Sequence, residues 1–64
     1  MAIRVFIVDD HALVRTGYRL ILGGQADIEV VGEAESAEDA LPQIRKLKPD
    51  VLLCDLHLTR RLTP

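Results

Sequence analysis

The sequence predicts a small α/β domain of five elements, β-α-β-α-β, with parallel strands in the order 2-1-3. Apolar runs at 3–8 and 51–54 are almost uninterrupted, which is typical of parallel strands that helices cover on both faces. Between the runs, apolar residues recur every three or four positions, which indicates helices. With 64 residues and 48% hydrophobic content, the chain can form one small domain around a limited core.

The first strand, residues 3–8, ends in two adjacent aspartates, Asp9 and Asp10. Either aspartate lies where a helix N-cap belongs, and N-capping is the simplest structural role for Asp10. The helix predicted over residues 11–22 ends at a Gly-Gly pair. Its apolar stripe consists of Leu13, Val14, Tyr18, Ile21 and Leu22.

The second strand, residues 28–31, is followed at 36–39 by Ser-Ala-Glu-Asp, which resembles a capping box. A second helix is expected to follow, but Pro42 removes a backbone hydrogen bond and clashes with the preceding turn. The helix is therefore expected either to bend at Pro42 or to begin later. The third strand, residues 51–54, also ends in an aspartate, Asp55.

These aspartates end strands that are expected to be neighbours. If the third strand lies on the far side of the first, right-handed crossovers place the helices on opposite faces of the sheet. The first and third strands then flank the point where ligands of open α/β sheets bind. Because neighbouring strands lie about 4.8 Å apart, Asp9, Asp10 and Asp55 would converge at one edge. Such carboxylates need a counter-charge, and their oxygen ligands predict Mg²⁺, beside which one carboxylate can attack phosphorus.

Three segments carry a resemblance to a known family: V-D-D-H-A-L-V-R-T-G, V-V-G-E-A-E-S and K-P-D-V-L-L-C-D-L-H-L. In this order they resemble the first half of a two-component response-regulator receiver domain. The residues of these segments are most similar to the subfamily with a LuxR/NarL-type DNA-binding output domain, and within it to the GacA/UvrY regulators. The resemblance runs from about Ile3 to Leu58, which predicts that residues 1–58 form the N-terminal half of a receiver domain, and it implies a truncated flavodoxin-like fold.

The resemblance also implies a role for each acidic position. Asp55 is similar to the phosphoacceptor, Asp10 to the direct metal ligand, and Asp9 to the acid that acts through a metal-bound water. The backbone carbonyl of His57 is similar to the third protein ligand of Mg²⁺. The implied partner is a sensor histidine kinase, and the implied role is that of a phosphoacceptor in a phosphorelay rather than an enzyme.

After residue 58 the sequence departs from the family pattern, and residues 59–64 form a divergent basic tail. The given sequence has no counterpart of the family's fourth and fifth strands, of the Ser/Thr and Lys that hold the phosphoryl oxygens, or of the output domain. This predicts a frameshifted or prematurely terminated reading frame, impaired phosphotransfer, a weak fold, and self-association through the exposed third strand. Two alternatives remain: a module that binds a kinase or regulator without phosphotransfer, and a non-functional remnant.

Composition excludes several function classes. Two of the eight basic residues lie in the tail, which leaves six against ten acidic residues, so direct contact with nucleic acid is not expected. No apolar run is long enough to cross a membrane, and a cytoplasmic location is expected. Cys54 is predicted to be a core residue and Tyr18 to pack. His11 and His57 are candidates for metal ligands or general bases, but both are predicted to lie exposed on the rim, without a catalytic role.

Overall fold

A computed structural model of the chain describes residues 2–55, with Asp55 described by its backbone alone. The three strands are β1 (Ile3–Asp9), β2 (Ile28–Ala34) and β3 (Val51–Asp55), and the two helices are α1 (Ala12–Gly23) and α2 (Ala37–Leu47). Both strand pairs are parallel and the order is β2-β1-β3, which confirms the predicted architecture. The carbonyl of His57, the predicted boundary at residue 58 and the basic tail lie outside the described residues.

The central strand β1 forms the middle of the core. Its residues from Val5 to Asp9 are all buried. Phe6 and Val8 alternate onto one face, where they pack with Ala34 and Ala40. Three partly buried residues complete this cluster: Val31, Ile44 and Leu47. The continuous apolar run of β1 is therefore explained by its position between two strands.

The pairing of β1 with β2 contains an irregularity. Val5 pairs with Val30 and Phe6 pairs with Gly32, so Val31 is an extra residue in β2. Such a bulge bends a strand and increases its twist. The second strand was predicted over residues 28–31, but this pairing continues it to Ala34, and the prediction of its end is wrong.

The start of α2 agrees with the predicted cap. Ser36 is the N-cap, and its Oγ accepts a hydrogen bond from the backbone N–H of Asp39 at 3.2 Å. The helix runs through Pro42 from Ala37, so a later start is wrong. At the other end, Lys48 adopts a left-handed conformation with φ of 50°, which ends the helix.

Arg4 of β1 contacts both the C-terminal end of α2 and Asp50, the residue that precedes β3. Its Nη1 donates to the carbonyl of Leu47 at 2.6 Å and to that of Lys48 at 3.2 Å, where a cation is favoured by the helix dipole. Its backbone N–H donates to Oδ2 of Asp50 at 2.9 Å, and its carbonyl accepts from the backbone N–H of Asp50 at 2.8 Å. These contacts fix where β3 begins relative to β1.

Apolar side chains remain exposed on α1 and β3. No residue of α1 is buried, and Leu13, Leu20 and Ile21 on it are exposed, so the predicted stripe is only partly covered. Neither helix of the described residues contacts β3, and Leu52 is about half exposed. Cys54 is also exposed, so its predicted core position is wrong, because its strand lies at the edge of the described sheet.

Candidate functional site

The strand register brings the predicted acidic positions to one edge of the sheet. Asp9 is the last residue of β1, and it pairs with Asp55, the last residue of β3. Asp10 and His11 follow Asp9 in the short turn that leads to α1. The predicted convergence of these segments is therefore present, while the Asp55 carboxylate lies outside what the structure describes.

Asp9 is the most deeply buried of the described polar side chains at this edge. Its side chain is fully buried, with an exposed fraction of 0%. Its Oδ1 accepts a hydrogen bond from the backbone N–H of His11 at 2.8 Å. Its Oδ2 is buried and has no hydrogen-bond partner among residues 2–55. An ionised oxygen in this position is costly unless a cation or a donor satisfies it.

Asp10 and His11 lie beside Asp9 and are more open to solvent. The Asp10 side chain is 28% exposed and that of His11 is 47% exposed. The His11 Nδ1 lies 2.9 Å from Oδ1 of Asp10 and 3.6 Å from Oδ1 of Asp9. One carboxylate oxygen of each aspartate and one ring nitrogen lie within 4.8 Å of one another. The three side chains therefore form a compact acidic cluster with one imidazole.

The N-terminus of α1 shows whether Asp9 or Asp10 serves only as a helix N-cap. His11, and not Asp9 or Asp10, is the N-cap residue, and no side chain caps the helix. N-capping, the alternative structural role considered for Asp10, is therefore excluded. The physical reason is that Asp9 still belongs to β1 and the chain needs two further residues before it can turn into the helix. His11 is exposed as predicted.

Arg15 of α1 holds the end of β1 in place. Its Nη1 donates to the backbone carbonyl of Asp9 at 2.6 Å, and its Nε donates to Oε1 of Glu33 in β2 at 2.9 Å. Arg19 pairs with the other oxygen of Glu33, with Nε and Oε2 2.8 Å apart. These three residues were not predicted, because no local pattern relates positions of α1 to one in β2. Glu33 also lies beyond the predicted end of the second strand, so no sequence signal marked it.

The donor set at this edge fits a hard divalent cation. Mg²⁺ is bound in proteins by one or two carboxylates together with waters and phosphate oxygens. The buried, unpartnered Oδ2 of Asp9 and the half-buried carboxylate of Asp10 supply two such carboxylates. A cation bound there would also offset the repulsion between two adjacent negative charges. The residues present therefore fit the predicted Mg²⁺.

Within the described part of the chain, neither helix combines the length and apolar character that crossing a membrane requires.

Known proteins resemble the chain over most of its length. Residues 5–62 match the response regulator receiver domain. The response regulator protein VraR of Staphylococcus epidermidis is 54% identical over 56 residues, which cover 88% of this chain and 27% of the relative. The response regulator GacA of Pseudomonas viridiflava is 50% identical over 56 residues, covering 88% of this chain and 26% of the relative.

A third relative is similar to the same degree. The transcriptional regulatory protein BtsR of Salmonella typhi is 48% identical over 58 residues, covering 91% of this chain and 24% of the relative. The chain thus spans about a quarter of the length of these relatives. The likeness to LuxR/NarL-type regulators such as VraR and GacA, predicted from the three sequence segments, is confirmed. The chain belongs to the response regulator receiver domain family.

Proposed function

We propose that this chain is the phosphoacceptor segment of a receiver domain, in which Asp55 takes a phosphoryl group from a phosphohistidine of a sensor histidine kinase. Asp9, Asp10, Asp55 and the backbone carbonyl of His57 would hold Mg²⁺. The observation that carries the proposal is the register of β1 and β3, which pairs Asp9 with Asp55 at the carboxyl edge of the sheet. Membership of the receiver family supports it.

The proposed chemistry is a phosphoryl transfer between two protein side chains. A carboxylate oxygen of Asp55 attacks phosphorus and forms an acyl phosphate. The P–N bond to the kinase histidine breaks, and its electron pair stays on the histidine nitrogen. Mg²⁺, when bound, offsets the negative charge of the carboxylates and of the phosphoryl oxygens.

The chain's own residues prepare this edge in three ways. Asp9 keeps a buried carboxylate on the strand position that pairs with Asp55, and its Oδ1 is oriented by the His11 N–H. Arg15 binds the carbonyl of Asp9 and so fixes the end of β1 against α1. Asp10 stays partly open to solvent, which leaves a path for a hydrated cation. All three features support a metal-assisted transfer to Asp55.

The experiment is incubation with acetyl phosphate and Mg²⁺, followed by the intact mass of the protein. We expect an adduct with the mass of one phosphoryl group, absent from Asp55→Asn and absent after chelation of Mg²⁺. Asp27→Asn, at an exposed aspartate outside the edge, is the matched control and should keep the adduct. An adduct that persists in Asp55→Asn would refute the assignment.

A second function is favoured by the exposed apolar surface of β3. Val51 and Leu52 are about half exposed on a strand at the edge of the described sheet, and such a strand invites pairing with another chain. The alternative is a binding module that joins a kinase, a regulator or a second copy without accepting phosphate. Saturable kinase binding with no adduct would support it. Sedimentation of the chain against Leu52→Lys tests self-association, which the charged residue should reduce.

A further inference from the structure

We propose that His11 supplies an imidazole ligand at the Asp9–Asp10 edge, so that this cluster binds borderline divalent cations such as Zn²⁺ and Ni²⁺ as well as Mg²⁺. The inference rests on the proposed function only in taking this edge as a metal site. It adds a nitrogen ligand, which the proposed Mg²⁺ site does not use. It also predicts a cation selectivity that an all-oxygen site would lack.

The distances between the side-chain atoms suit a shared cation. The His11 Nδ1 lies 2.9 Å from Oδ1 of Asp10 and 3.6 Å from Oδ1 of Asp9. Zinc binds imidazole nitrogen and carboxylate oxygen at about 2.0–2.2 Å, so two ligand atoms of a tetrahedral site lie about 3.3–3.6 Å apart. The separation from Asp9 lies at the upper end of this range, and the separation from Asp10 is shorter than its lower end. One donor atom of each of the three side chains lies within 4.8 Å of the others.

The burial of Asp9 is an independent sign that a ligand belongs here. Its side chain is fully buried, yet its Oδ2 has no hydrogen-bond partner among residues 2–55. Buried carboxylate oxygens are normally satisfied, since an unsatisfied one costs free energy. The neighbouring side chains of Asp10 and His11 are 28% and 47% exposed, so the cluster borders solvent.

The backbone keeps the imidazole on this side of the turn. His11 is extended, with φ of −111° and ψ of 115°, and its N–H donates to Oδ1 of Asp9. The residue is therefore anchored to the same carboxylate that its ring approaches. Without a metal, the Nδ1 of His11 is within hydrogen-bond distance of Asp10, and a bound cation would replace that interaction.

The chemistry of the donors predicts which ions gain from His11. Carboxylate and water ligands suit Mg²⁺, whereas imidazole suits zinc, nickel and copper. Two carboxylates and one imidazole, with the remaining positions open to water, resemble the mixed ligand sets that bind zinc. His11 should therefore raise the affinity for Zn²⁺ and leave that for Mg²⁺ almost unchanged.

Asp27, an exposed carboxylate outside the cluster, provides the control position. We would compare His11→Asn and Asp27→Asn, both in a Cys54→Ser background that removes the exposed thiol as a zinc ligand. Titration calorimetry with Zn²⁺ and with Mg²⁺ gives the two affinities. Long-range ¹H–¹⁵N NMR of the imidazole rings in the parent Cys54→Ser chain identifies the nitrogen that meets zinc.

We expect His11→Asn to lower the Zn²⁺ affinity about tenfold or more and the Mg²⁺ affinity less than twofold, since only zinc gains from a nitrogen ligand. Asp27→Asn should retain the Zn²⁺ affinity. Zinc should shift the Nδ1 resonance of His11 in the parent chain, and this readout stands even where a variant fails to fold.

Three results would overturn the inference: zinc binding without a His11 shift, equal loss of both affinities in His11→Asn, or zinc affinity lost in Asp27→Asn instead. Failure of the proposed function is a different result. If Mg²⁺ binds and zinc does not shift the His11 resonance, only this inference is wrong. Zinc bound through His11 without any Asp55 adduct removes only the phosphoacceptor assignment. If neither ion binds, both are wrong.

Discussion

Gly32 is a position where one added methyl group should destabilise the fold. It pairs with Phe6 across the β1–β2 bulge. A Cβ at this position would lie 2.7 Å from Cε2 and 3.0 Å from Cδ2 of Phe6, and 3.2 Å from Cδ1 of Leu47. The Phe6 ring is fully buried, so it cannot move aside without disturbing its neighbours. Gly32→Ala therefore overpacks the core on the α2 face of the sheet.

The free energy that Gly32→Ala should cost is large compared with the total free energy of unfolding of the chain. Overpacking of a core costs about 1–3 kcal/mol. A folded chain of this length has a free energy of unfolding of roughly 3–10 kcal/mol. With a urea slope of about 1 kcal/mol per molar, which is at the low end for small proteins, the midpoint should fall by about 1–3 M. The substitution thus removes a large part of the total stability.

Gly17 in α1 provides the matched control for the same chemical change. A Cβ there meets no atom within 4 Å, and alanine is favoured over glycine inside a helix by about 0.5–1 kcal/mol. Gly17→Ala should therefore raise the urea midpoint while Gly32→Ala lowers it. Urea unfolding followed by circular dichroism at several protein concentrations measures both.

A rescue experiment isolates the steric cause. Phe6→Leu removes the ring atoms that the new methyl group would meet. In the Phe6→Leu background, Gly32→Ala should therefore cost clearly less than it does in the parent chain. Equal midpoints for the two single glycine variants, or a cost that Phe6→Leu leaves unchanged, would refute the packing argument.

Three further predictions concern α2 and the acidic edge. Pro42→Ala should stabilise the chain by up to about 3 kcal/mol, because it restores a hydrogen bond inside α2; an unchanged urea midpoint would contradict this. Ser36→Ala should cost about 1 kcal/mol by removing the acceptor of the Asp39 N–H, whereas Ser36→Asp, a good N-cap, should cost much less. Asp9→Asn should abolish the stabilisation of the fold by Mg²⁺. For the parent chain this stabilisation is about 2.7 kcal/mol when the Mg²⁺ concentration is a hundred times Kd. If Mg²⁺ raises the melting temperature of Asp9→Asn as much as that of the control Asp27→Asn, Asp9 is not a ligand.

The strand order and the convergence of the acidic positions could be predicted because they follow from chain-local signals. Continuous apolar runs mark buried strands, and parallel topology brings their carboxyl ends together. The cap at Ser36 was readable for the same reason, since a cap and its acceptor lie within one turn. Each of these features depends on residues close together in sequence or on a general rule of topology.

What could not be predicted depends on contacts between distant segments. The second strand continues past residue 31 because Gly32 fits against Phe6, which no property of the segment alone reveals. Cys54 is apolar and lies in an apolar run, but its exposure depends on which elements cover β3. At the candidate site, the approach of His11 to both aspartates depends on where α1 begins, which the sequence leaves uncertain by a residue or two.

Arg4 gives the acidic edge a determinant at the opposite end of the sheet. Its two backbone hydrogen bonds with Asp50, and its guanidinium on the end of α2, set where β3 begins. Side chains alternate between the faces of a strand, so a slip of β3 by one residue would carry Asp55 to the other face. Asp50 accepts the Arg4 N–H through its carboxylate, so a substitution of Asp50 can shift β3 and disturb the proposed site while Asp9, Asp10 and Asp55 stay intact. Substitutions at both ends of the sheet should therefore affect the proposed site.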